Sequence, residues 1–249
     1  MLEIMYAIIS VILVSAVSLI GIFTIFMKME KLNEILGFLV SFAVGALLGD
    51  AFIHLIPEVG KTLGFGLKSY LLFLSGIFIF FILEKFVSWR HCHVPTSKNH
   101  PHPVGLMNII VDGAHNFIDG TLIAGSYMVS IPLGVSTTIA ILLHEIPQEI
   151  GDFAILIHAG YSKRKALLMN FISALAAVLG VILTLALGNM IIGLNEMLLP
   201  VAAGGFIYIA SADLIPELHK ETKPIKSIIQ LIAMLLGIGI MVALLFLEI

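Results

Sequence analysis

Apolar residues run along this chain in continuous blocks of about 20, the length a helix needs to cross a bilayer, and short polar connections separate the blocks. Spans are predicted at about 4–28, 34–57, 66–88, 105–130, 135–160, 165–190, 194–216 and 225–248. Continuous runs do not fit a transmembrane barrel, whose strands alternate apolar and polar positions over about ten residues. The expected fold is an all-α membrane protein: eight transmembrane helices in a single polytopic domain, 1–249, with one longer loop at 89–104.

Composition agrees, with 59% hydrophobic and 12% charged residues against a charged share of about 25% in soluble domains. Mean hydropathy is +1.11. The connections leave no room for a soluble catalytic or nucleotide-binding domain, and no GxxxxGK[ST] sequence supports ATP-driven pumping by this chain. Nothing points to nucleic acid as a partner. The start, MLEIMYAIISVIL, has no positive leader or small-residue cleavage site and is expected to be a retained first span. The single cysteine, Cys92, excludes an intrachain disulfide.

Basic residues set an expected orientation. Lys28, Lys31, Lys85, Arg90, Lys98, Lys163, Arg164, Lys165, Lys220, Lys223 and Lys226 lie in or beside the odd-numbered loops, whereas Lys61 and Lys68 flank an even one. By the positive-inside rule the odd loops are cytoplasmic and both termini face the other side.

The second span ends His54-Leu55-Ile56-Pro57-Glu58 and the seventh Asp213-Leu214-Ile215-Pro216-Glu217. Five helices apart, these copies run in opposite directions, which suggests inverted repeats of three spans bracketing the fourth and fifth, a 3+2+3 arrangement. The alternative is that LIPE is a common membrane-exit sequence in which proline ends a helix.

The fourth and fifth spans carry ionisable groups where a spanning helix should have none. VDGAHNFIDG holds Asp112, His115, Asn116 and Asp119, and HEIPQEIGD holds His144, Glu145, Gln148, Glu149 and Asp152. Charges at that depth cost a few kcal/mol or more, so they usually face a bundle interior and mark an ion or substrate path. The first set falls at i, i+3, i+4 and i+7, an arc of about 100°, and the second spans about 140°. Counting about 1.5 Å per residue from Gly105 and from Val135 puts His115 and His144 at similar depth, near the bilayer centre.

Pro147 is expected to free the carbonyl of Leu143 and bend the fifth helix. Imidazole, carboxylate and amide donors without thiolate suit zinc, ferrous iron, manganese or cadmium better than cuprous copper. So many donors admit a two-metal site bridged by a carboxylate. Taken singly, His54, His158 or His219 fits equally well as an interhelical hydrogen-bonding residue, as do Asn116 and Gln148. The loop RHCHVPTSKNHPHP, with His91, His93, His100 and His102, reads as a cytoplasmic metal-collecting segment or as a solvated loop that happens to be His-rich. It has no regular zinc-finger spacing.

At HNFIDG and HEIPQE the chain resembles the ZIP (Zrt/Irt-like protein) family of divalent metal transporters, specifically the branch with HEIP-x-E in its fifth span. The NFISAL segment (Asn170 to Leu175) and YIASADLIPE (Tyr208 to Glu217) fit the same branch, and the resemblance covers essentially the whole chain. It implies uptake of zinc, and often iron, manganese or cadmium, into the cytosol by an elevator-like movement of the site-bearing helices. The implied binuclear metal site comprises His115, Asn116, Asp119, His144, Glu145 and Gln148. His54 and Asp213 match pathway positions, and Asp112 and Asp152 extend the polar path. Gln148 departs from the family's usual Glu or His. Glu149 is a further candidate ligand, rotated by ~100° from its neighbour.

No cofactor is expected, only the transported divalent metal, with zinc foremost. The expected partners are divalent metal ions and the lipid bilayer, and a homodimer is compatible with the sequence. Two rival readings exist. An intramembrane zinc protease would use HEIPQ as a variant of HExxH, against which stand Gln148 in place of the second His and the proline within the motif. A proton-conducting or receptor-like protein would use the carboxylates without metal. The expected location is the cytoplasmic membrane of a prokaryote, or else an organelle membrane, with non-cytosolic termini.

Overall fold

A computed structural model describes residues 2–21, 29–88, 104–188, 190 and 193–247, and among these every regular element is helical. Helix α1 (Leu2–Val17) ends in a 3-10 turn, Ser18–Ile20. Helix α2 begins as Met29–Gly49, widens into a π turn at Asp50–Leu55 and closes as Ile56–Thr62. Then follow α3 (Leu67–Ser88), α4 (Val104–Val129) and α5 (Ile131–His158). Helix α6 comes in two pieces, Lys163–Ala174 and Ala176–Gly188. Helix α7 runs Leu194–Tyr208, has its own π turn at Ile209–Leu214 and ends as Ile215–Leu218, and α8 is Pro224–Leu244.

Leu2–Ile20, Ile35–Thr62, Lys163–Gly188 and Pro224–Leu244 are long and apolar enough to cross a membrane. Leu67–Ile82 and Glu196–Ala212 are shorter apolar helices, whereas α4 and α5, at 26 and 28 residues, are long but carry the polar stripes. Beside an apolar core, burial departs from that of a soluble protein in two ways. Large apolar side chains such as Ile12 on α1, Phe78 on α3 and Leu235 on α8 point outward, while Asp119, Glu145 and Glu149 are fully buried.

Both π turns directly precede an Ile-Pro-Glu sequence. Pro57 cannot donate to the carbonyl of Ile53, nor Pro216 to that of Ala212, and each ring crowds that carbonyl, so a wider turn is the local accommodation. The helices pair as α2 with α8, α3 with α7, and α4 with both α5 and α6. Small residues bring the backbones together at these crossings. A Cβ on Gly45 would stand 2.0 Å from the Met234 carbonyl oxygen, and one on Gly237 2.2 Å from that of Phe42. The α3–α7 crossing repeats this at Gly76 and Gly204, whose Cβ atoms would stand 2.1 Å from the carbonyl oxygens of Val201 and Phe73. Gly45 to Gly204 is the same step along the chain as Asp50 to Ile209, the first residues of the two π turns: 159 residues.

Gly204→Ala should therefore force two helices apart and cost about 1–3 kcal/mol, the usual range for overpacking. Thermal unfolding in detergent is the check. Gly239→Ala on α8, where nothing lies within 4 Å of the added carbon, should leave the midpoint unchanged or raise it.

Candidate metal centre

The site is built on a helical hairpin. α4 ends at Val129 and α5 starts at Ile131, so a single residue, Ser130, turns the chain. The Ser130 hydroxyl accepts from the Leu133 N–H at 3.3 Å and caps α5, while Pro132 sits in its first turn. His115 lies 15 residues before Ser130 and His144 14 after it. Both are thus about 21–23 Å from the turn, which places the two clusters at one level. Helix α5 runs continuously through Pro147.

At that level four side chains converge. One ligand atom from each of His115, Asp119, His144 and Glu145 lies within 4.8 Å of the others. The two Nε2 atoms are 3.3 Å apart. His115 Nε2 lies 3.7 Å from both Asp119 Oδ2 and Glu145 Oε1, and His144 Nε2 lies 3.2 and 3.5 Å from the same two oxygens. A tetrahedron with metal–ligand bonds of ~2.0–2.1 Å has edges of about 3.3–3.4 Å, so these five separations lie close to the spacing of a four-coordinate zinc, and the sixth, between the two carboxylates, is within 4.8 Å.

Neither carboxylate is otherwise provided for. Both oxygens of Asp119 and both of Glu145 are buried and accept no well-formed hydrogen bond from a described residue. Buried carboxylates in that condition call for a cation or a proton. His144 is set to ligate through Nε2, because its Nδ1–H can donate to the Ala140 carbonyl at 3.2 Å.

A second polar layer lies on the side of the α4 start. Asn116 donates to Asp112 Oδ1 at 2.9 Å, and its own buried Oδ1 accepts no hydrogen bond from a described residue, while Asn108 donates to Asp152 at 3.0 Å. Gln148 is half-buried and interacts with Asp112. Glu149 stands outside the quartet and instead receives hydrogen bonds from Asn170 of α6, on its carboxylate and, at 3.2 Å, on its carbonyl. The 100° rotation from Gln148 carries it to the α6 side. His54 is likewise engaged elsewhere, donating from Nε2 to the Met241 carbonyl at 2.9 Å and tying α2 to α8. The Asp213 side chain and the loop residues His91, His93, His100 and His102 lie outside the described residues.

The fold brings in partners that the sequence pattern does not single out. Buried Asp50 accepts from Thr137 of α5 at 3.2 Å, and an acid four residues before His54 in an apolar run is the signal that could have found it. Phe80 of α3 and Phe206 of α7 touch the two imidazoles, and aromatic residues inside apolar helices give no such signal. The protease geometry is not supported. The second imidazole of the cluster comes from His115 on α4 rather than from position 148, and Glu145 lies within the cluster rather than beyond it.

A family model described as ZIP zinc transporter matches residues 2–105 and 101–245. Among curated relatives, zinc transporter ZIP13 of Pongo abelii is 36% identical over 220 residues, 82% of this chain and 65% of that protein. The ZIP13 homolog of Drosophila melanogaster is 33% identical over 274 residues, 84% and 77% of the two chains. Zinc transporter SLC39A7 of Rattus norvegicus is 29% identical over 342 aligned positions, 98% and 72%. On these matches the chain belongs to the ZIP zinc transporter family.

Proposed function

We propose that this protein carries zinc across a membrane into the cytosol, with His115, Asp119, His144 and Glu145 as the four ligands of its principal site. The observation that carries the reading is the convergence of two Nε2 atoms and two buried carboxylates that accept no well-formed hydrogen bond from a described residue. Zinc would shed water on entering the quartet and leave past Asp112, Asn108 and Asp152, the polar layer nearest the basic loops. A second ion beside the first would share Glu145 and take Asn116 and Gln148. What supports this is the buried Asn116 Oδ1, which accepts no hydrogen bond from a described residue.

Eight membrane-spanning helices in a 3+2+3 inverted repeat would provide the frame. The reading rests on the matched offset of the two π turns and of Gly45 and Gly204, and on the reciprocal glycine crossings of α2–α8 and α3–α7. With the odd loops cytosolic, both termini would lie on the opposite side.

The test is uptake of radioactive zinc into proteoliposomes by wild type and Asp119→Ala. Saturable uptake in the wild type, absent in the variant, is the expected result. Equal uptake by the two would remove Asp119 from the path.

A further inference from the structure

The two imidazoles of the quartet are oriented in different ways. His144 has its Ala140 carbonyl on Nδ1, but no described residue offers His115 Nδ1 a hydrogen bond. No backbone carbonyl of a described residue fixes the His115 ring as Ala140 fixes that of His144, and the side chain packed against the ring limits its rotation about χ2. The packing comes from Phe80, 4% exposed, whose ring stands edge-on to His115 at 5.4 Å between centroids and 79° between planes.

Phe80 is itself closely packed. Its ring lies against the backbone of α7 at Gly205, where a Cβ would come within 2.4 Å of Cε2 and 2.8 Å of Cδ2. One residue earlier, Gly204 lets α7 approach α3. The next residue, Phe206, sets its ring against His144 at 6.1 Å. Helices α3 and α7 thus present an aromatic wall to the two imidazoles of α4 and α5.

We propose that Phe80, held in place by the absence of a side chain at Gly205, is the positioning residue that fixes the His115 imidazole for metal coordination. The proposal rests on the quartet reading given above. It assigns Phe80 no contact with the ion: the ring acts through His115.

The test is titration of the purified full-length protein with cobalt(II), whose visible absorption is strong in tetrahedral and weak in octahedral coordination. Wild type should show the strong bands, and His115→Ala and His144→Ala should lose them. If both variants bind cobalt with the wild-type spectrum, the quartet reading fails and this proposal with it. With the quartet established, Phe80→Ala should weaken cobalt binding by about 10–100-fold, the usual effect of losing a group that orients a ligand, and diminish the bands. Phe80→Tyr, which keeps the ring, should restore both.

Gly205→Ala removes nothing from the site, yet it should drive the ring off its seat and produce the same spectral change. In the Phe80→Ala background it should add nothing. Wild-type affinity and spectrum in Phe80→Ala, or a Gly205→Ala effect that persists unchanged without the ring, would overturn the proposal.

Discussion

His144→Ala is expected to weaken zinc binding by more than the ~10–100-fold that loss of an outer-shell partner costs, and to abolish saturable uptake. The reason is specific to its position. His144 is 1% exposed, its Nε2 lies 3.2–3.5 Å from the other three ligand atoms, and its Nδ1 is the one in the quartet already committed to a backbone carbonyl. Removing it takes away a pre-oriented donor and leaves Asp119 and Glu145 facing each other across a cavity. With only the His115 imidazole left beside them, the two buried carboxylates repel, and the site must take up a proton or the helices must part. His144→Gln, which restores volume and a neutral polar atom but not the imidazole, should fold like wild type and still fail to bind. Isothermal titration of purified protein with zinc measures the first effect, and proteoliposome uptake the second. Near-wild-type affinity in both variants would mean that zinc is held elsewhere.

Much of this centre is legible in the amino-acid sequence. The i, i+3, i+4, i+7 spacing of Asp112, His115, Asn116 and Asp119 dictates a stripe because a helix turns by 100° per residue, and the cost of burying such groups dictates that the stripe faces inward. The single-residue turn at Ser130 then brings the two stripes to one level. Spacing along one helix does not say which donors on the wide α5 stripe face α4. Glu145 and Glu149 sit one turn apart, yet only Glu145 joins the quartet, because α6 supplies Asn170 to the other. His54 matches a pathway position by resemblance alone, and spacing could not show that its imidazole donates to the Met241 carbonyl on α8. Phe80 cannot be picked out from the sequence, because its role depends on a glycine 125 positions away on another helix.

Asn170→Leu is expected to destabilise the protein by about 2–4 kcal/mol, because it leaves a fully buried carboxylate without its donor. Glu149 and Asn170 are 0% and 1% exposed, and the Asn170 amide bridges the carboxylate and the carbonyl of the same residue. That pair fastens α6 to α5 beside the quartet. Glu149→Gln separates the structural role from a ligand role. The glutamine keeps an oxygen to accept from Asn170 and removes the need to bury a charge, so stability should hold or rise and zinc affinity should stay at the wild-type level. Chemical or thermal unfolding in detergent reads the first, and zinc titration the second. Loss of zinc binding in Glu149→Gln with the fold intact would return Glu149 to the ligand set, and would mean that the hydrogen bond from Asn170 gives way when the metal arrives.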